Sequence, residues 1–162
     1  MGKYNIGDYV IYGINGACEV VEIGTLDFAG PDKIYYSLKP VCDARSTIFV
    51  PLDKEKEIPR MVFSKKEVES IIEESKSVEA AEYTPNREYC DVILKSGDNV
   101  EISKMIKLLR NMRKENRKNH KGLNIQEERI LKDAEKIFYS EIACAFDMSM
   151  DEVVEEYSPI LD

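Results

Sequence analysis

Residues 9–51 hold four short apolar runs: Tyr9-Val10-Ile11-Tyr12, Ala17-Cys18-Glu19-Val20-Val21-Glu22-Ile23, Ile34-Tyr35-Tyr36-Ser37-Leu38 and Thr47-Ile48-Phe49-Val50-Pro51. Between them lie Gly13-Ile14-Asn15-Gly16, Ala29-Gly30-Pro31-Asp32 and Asp43-Ala44-Arg45-Ser46. β-branched and aromatic runs separated by Gly, Pro, Asn and Asp read as strands and turns. The spacing is too close for βαβ units, which need a dozen or more residues per crossover.

From Ser64 onward the pattern becomes helical. Ser64 stands three residues before Glu67, a capping box, with Val68, Ile71 and Ile72 following at helical spacing. Thr84-Pro85 suggests a second start, because proline suits the first helical position. Tyr89, Val92 and Ile93 would line one face of it, and Gly97 would stop it. Asp98 with Glu101 opens a third helix, with a stripe of Ile102, Met105, Ile106, Leu109 and Met112 and an end at Gly122. Asn124 with Glu127 opens a fourth, striped by Ile130, Leu131, Ala134, Ile137, Phe138 and Ile142; Ser149 with Glu152 opens a short last one. The predicted fold is therefore α+β: a small SH3/Tudor-like β-barrel over residues 1–63, then an all-helical bundle over residues 64–162. A soft link is expected near residues 58–63, with residues 76–83 as the alternative.

The chain has 162 residues, enough to bury roughly 68–70 % of its unfolded surface as one domain or two small ones. No apolar run approaches the length of a membrane span, and residues 1–8 carry no signal-peptide stretch. Cys18, Cys42, Cys90 and Cys144 are scattered, and His120 is the only histidine. That spacing argues against a zinc site and reads as reduced thiols in a cytoplasmic protein. A lone histidine in a basic loop offers no nucleophile–base pair, and Glu73-Glu74, Glu127-Glu128 and Glu155-Glu156 are helix neighbours that do not face each other. No phosphate-cradling glycine loop is present. The expectation is a non-enzymatic protein without cofactor or metal.

Charge supplies the strongest chemical signal. The net charge is −8, yet residues 104–121 carry eight basic groups and one acidic group. Lys104, Lys107, Arg110, Arg113, Lys114, Arg117, Lys118 and Lys121 recur at three- and four-residue steps, and on a helix Lys107, Arg110, Lys114, Arg117 and Lys121 fall along one broad side, with the apolar stripe on the other. One reading is a solvated amphipathic helix whose C-terminal cations complement the macrodipole. The other is a phosphate-contacting surface, with a slope of log K on log salt of about −4 for four or five contacts. Inside an acidic chain such a grip on DNA would be weak, so another element must deliver it. Edge strands of a small barrel can pair with a partner chain, and Thr47-Ile48-Phe49-Val50 and Ile34-Tyr35-Tyr36-Ser37 are candidate edges.

The ordered set Tyr4-Asn5-Ile6-Gly7-Asp8-Tyr9-Val10-Ile11-Tyr12, Asn15-Gly16, Val20-Val21-Glu22-Ile23, Tyr35-Tyr36-Ser37-Leu38, Ile48-Phe49-Val50-Pro51, Ser96-Gly97-Asp98 and Gly122-Leu123-Asn124 with Glu127 to Ala134 resembles the CarD/CdnL family of bacterial transcription regulators. The resemblance runs over about residues 4–146. The first domain alone also resembles the polymerase-binding module of transcription-repair coupling factor. The resemblance implies a Tudor-like barrel that binds the RNA polymerase β subunit, partly by strand pairing. It also implies a helical domain that touches promoter DNA at the upstream edge of the bubble and stabilises the open complex. By position, polymerase contact would fall on Arg45, Thr47, Ile48, Phe49 and Val50, where Phe49 replaces a residue that is often basic in the family. DNA contact would involve Pro85 and Arg87, with Pro85 at about the place of the family's Trp; this chain has no Trp. To these we add Arg110, Arg113, Lys114, Arg117, Lys118 and Lys121 from the basic block. A monomer is expected, partnered by polymerase and promoter DNA and not by a membrane. The alternative is an adaptor that binds polymerase or another protein and never touches DNA.

Overall fold

A computed structural model describes residues 2–162. Five strands form one antiparallel sheet: β1 (Tyr9–Ile11), β2 (Ala17–Gly24), β3 (Tyr35–Pro40), β4 (Ile48–Pro51) and β5 (Arg60–Met61), in the order β4-β3-β2-β1-β5. The expected barrel is not closed by strand pairing; β4 and β5 are the two ends of the sheet. A register shift between Val20 and Glu22 interrupts the β2–β3 ladder. Such an irregularity bends a sheet and increases its twist, so a five-stranded sheet wraps around one small core. That core is Tyr4, Val10, Cys18, Val20, Tyr36, Leu38, Val50 and Ile58. The Tyr36 hydroxyl donates to Glu55 at 2.6 Å, which satisfies a buried phenol from the turn Leu52–Glu57.

The segment expected to be a slack link contains β5, which pairs with β1 through Val10↔Met61 and Ile11↔Arg60. Five helices follow: α1 (Lys65–Ser77), α2 (Arg87–Leu94), α3 (Asn99–Arg117), α4 (Ile125–Phe146) and α5 (Met150–Tyr157). Ser64, Asn124 and Ser149 each form a full capping box, with Glu67, Glu127 and Glu152 returning the bond. Asp98 caps α3 by accepting from the N–H groups of Val100 and Glu101. The apolar stripes of α3 and α4 meet in one core with Val68, Ile72, Cys90, Leu94, Val153 and Leu161.

Three helical details differ from the sequence reading. α2 is capped by Asn86, whose side chain accepts from the Tyr89 N–H, so Pro85 lies outside the helix. The buried face of α2 is Cys90 and Leu94, whereas Tyr89 and Val92 face solvent. Eight residues give too few turns for a periodicity reading to resolve which apolar pair faces inward. Finally, α3 ends at Arg117 rather than at Gly122, with His120 in the left-handed region at φ 59°.

Candidate functional site

The sites expected from the sequence fall on separate elements, one on the sheet and the others among the helices. The first is the outer edge of β4. Arg45 and Thr47 are exposed on the turn before the strand. Asp43 organises that turn by accepting from the Ser46 hydroxyl at 2.6 Å and the Arg45 N–H at 3.3 Å. These two bonds hold the Asp43 carboxyl below the usual carboxylate range. Within β4 the side chains alternate: Val50 is fully buried, Phe49 is 40 % exposed and Ile48 is partly buried. The Val50 side chain therefore belongs to the core, and only its backbone belongs to the edge.

β4 pairs with β3 on one side and with no strand on the other. It ends in Pro51, and a proline has no N–H to offer a ladder. Beside it stands Phe28, from the loop after β2, with its ring 5.6 Å from that of Phe49 in an edge-to-face arrangement. Phe28 is 76 % exposed. An unpaired edge flanked by two solvent-exposed rings can add a partner strand through its backbone and bury an apolar side chain between the rings. Phe28 leaves no signal in the sequence, because a single aromatic in a polar loop has no periodicity.

The second site is the C-terminal end of α3. Here the basic block divides in two. Arg110 is 5 % exposed; its guanidinium donates to Glu135 at 2.6 Å, the Tyr139 hydroxyl at 2.6 Å, Ser158 O at 2.8 Å and Asp162 at 3.0 Å. Burial works against its charge, but the hydrogen bond to Glu135 and the nearby Tyr139 and Glu135 outweigh it and raise its pKa. Arg110 thus departs from the expected phosphate contact: it ties α3 to α4 and to the C-terminal turn. Lys107 is also turned inward, its Nζ donating to Val78 O at 2.7 Å, and burial lowers its pKa. Lys104 is paired with Glu101 at 2.9 Å.

Lys114, Arg117, Lys118 and Lys121 are exposed and Arg113 is half-buried, on the last two turns of α3 and the loop beyond. Only Lys118 has a carboxylate partner, Glu115 at 3.0 Å, among the described residues. The five form a cationic tip rather than a stripe along the whole helix. The reason is packing: α3 is wrapped by its neighbours over its first three turns, and its charged side chains there are drawn into local partners.

Pro85 and Arg87 are elsewhere. Pro85 is partly buried in the turn before α2. Arg87 is paired with Asp91 at 3.2 Å. It lines a cleft of about 580 Å³ between the sheet and α2, together with Tyr12, Asn15, Glu57 and Lys95. The structure does not bring Arg87 to the tip of α3, and one of its Nη atoms is buried without a partner.

Burial pushes the Cys18 thiol up to about 12 and Cys144 up to about 11, so neither supplies a ready thiolate. Among the described residues no group of three His, Cys, Asp or Glu side chains is placed to hold a metal ion, and no helix is long and apolar enough to cross a membrane.

Two family models match the chain in order. The CarD-like/TRCF RID domain matches residues 4–62 and the CarD C-terminal domain matches residues 67–158. A search of the curated proteins finds no match. The first model spans the five-stranded sheet and the second spans the five helices, so the chain belongs to the CarD family, a family of non-enzymatic transcription regulators that interact with RNA polymerase.

Proposed function

We propose that this protein docks on the RNA polymerase β subunit through the free edge of β4 and stabilises the promoter open complex through the cationic tip of α3. The observation that carries the reading is the unpaired β4 edge with Phe28 and Phe49 exposed beside it. Docking supplies what the helical domain lacks. The whole chain carries a net charge of −8, so Arg113, Lys114, Arg117, Lys118 and Lys121 would hold free DNA weakly. Tethering to polymerase raises the local DNA concentration to about the millimolar range, where a weak grip suffices. Phosphate contacts carry no sequence information of their own, so promoter choice is left to polymerase.

A second reading is an adaptor that binds polymerase and makes no DNA contact. It is favoured by the inward turn of Arg110 and by the pairing of Arg87, which remove two of the cations expected to meet phosphate. A photo-crosslinker placed at Arg113 separates the two in an assembled promoter complex. Crosslinks to promoter DNA support the open-complex reading, and crosslinks to polymerase alone support the adaptor.

A further inference from the structure

Glu141, near the C-terminal end of α4, is 1 % exposed, and a carboxylate so placed must be fully partnered. It is. Arg60 of β5 grips it with two parallel bonds, Nη1 at 2.6 Å and Nη2 at 2.8 Å. The backbone N–H of Phe63 donates at 3.0 Å and the Asn99 side chain at 2.6 Å. Arg60 is used just as completely. Its Nε donates to Gly97 O at 3.0 Å, Nη1 also reaches Met61 O at 3.0 Å, and the guanidinium lies 3.7 Å from the Phe63 ring centroid.

This pair joins the last strand of the sheet to α4 and to the start of α3. It holds α4 directly through Glu141, and it holds the first residue of α3 through Asn99 and the preceding loop through Gly97. Gly97 has φ 79°, and a Cβ there would stand 3.2 Å from Pro59, so the loop closes tightly on the residue before Arg60. We infer that Arg60 and Glu141 are positioning residues: they fix the angle at which α3 leaves the sheet, and so set where the cationic tip lies relative to a surface bound by β4. This rests on the open-complex reading above.

The geometry makes the angle matter. α3 runs 19 residues from Asn99, at the ion pair, to Arg117, at the tip, a lever of about 27 Å. Turning it by ten degrees at the base moves the tip by about 5 Å, more than the reach of an ion pair. Neither Arg60 nor Glu141 touches polymerase or DNA in this account, so their effect on the tip is transmitted only through orientation.

The test uses the full-length protein with Arg60→Lys, which keeps the charge but cannot form the two-pronged grip, and Glu141→Gln as a second variant. Residual dipolar couplings report the angle between sheet and helices directly, and the dispersion of the amide spectrum reports that both parts are folded. The expected result has three parts: couplings of the unaltered protein fit the single orientation seen here, those of Arg60→Lys require a spread of orientations, and affinity for polymerase stays within about twofold while open-complex lifetime falls about tenfold. Unchanged couplings in both variants would overturn the inference, as would loosened couplings with an unchanged lifetime. If the unaltered protein itself fails to lengthen the lifetime, the open-complex reading and the positioning role fall together. If it and Arg60→Lys lengthen it equally, the positioning role alone falls.

Discussion

Gly16 rests against Ser140 of α4, where the Ser140 hydroxyl accepts the Ala17 N–H at 2.9 Å. A Cβ on Gly16 would collide with that hydroxyl and approach Ile137 Cα to 3.2 Å. Gly16 also has φ 69° and ψ −140°, a backbone conformation open in practice only to glycine. Gly16→Ala is therefore expected to cost about 2–4 kcal/mol, combining strain with a contact that backbone cannot yield. Gly13→Ala, also at positive φ but in open space, should cost about 1 kcal/mol. Urea denaturation of the two variants checks the contrast.

The division of the basic block yields a second contrast. Arg110→Ala takes the guanidinium donor from the buried Tyr139 hydroxyl and the Glu135 carboxylate, leaving only the long Tyr139–Glu135 bond at 3.4 Å, and is expected to destabilise the protein by about 2–3 kcal/mol. Lys114→Ala, exposed and unpaired, should change stability by less than about 0.5 kcal/mol. Thermal unfolding distinguishes them. Equal, negligible losses would mean that Arg110 faces solvent after all.

Asp133 gives a pH dependence. It is 8 % exposed, one of its oxygens has no partner, and burial raises its pKa despite Lys136, Arg87 and Arg129 nearby. A raised folded-state pKa means that protonation favours the folded state, so the stabilising contribution is present at low pH and lost as pH rises through the folded pKa. Asp133→Asn removes the penalty. It is expected to exceed the unaltered protein in stability at pH 7, by a margin that shrinks as pH falls toward the ordinary carboxylate value of 3.8.

How far the sequence revealed these features depends on how local they are. The capping boxes at Ser64, Asn124 and Ser149 and the stripes of α3 and α4 were legible because caps and periodicity are written in neighbouring residues. The strands were legible from their turns, but the open closure of the sheet was not, since pairing partners are distant in sequence. The tip of α3 was half legible: spacing placed eight cations on one helix, but only tertiary packing decides that Lys107 and Arg110 turn inward. The Arg60–Glu141 pair spans 81 residues, and no local pattern announces it.

The aromatic pair beside β4 predicts how docking is lost. Phe28→Ala and Phe49→Ala should each weaken polymerase binding about 5- to 30-fold, the loss of one exposed interface anchor. Because both side chains are solvent-exposed, the variants should unfold at nearly the same temperature as the unaltered protein. Surface plasmon resonance with immobilised polymerase checks the affinity.

The central claim is that a weak cationic tip, delivered by the sheet, holds the promoter open. The measurement that tests it most directly is the lifetime of an open promoter complex formed by the cognate polymerase holoenzyme, compared for no added protein, the unaltered protein, and Arg113→Glu with Lys114→Glu. The account predicts a longer lifetime with the unaltered protein, and loss of that gain in the charge-reversed variant while polymerase binding is retained. A lifetime that the unaltered protein leaves unchanged, with its binding to polymerase confirmed, would contradict it.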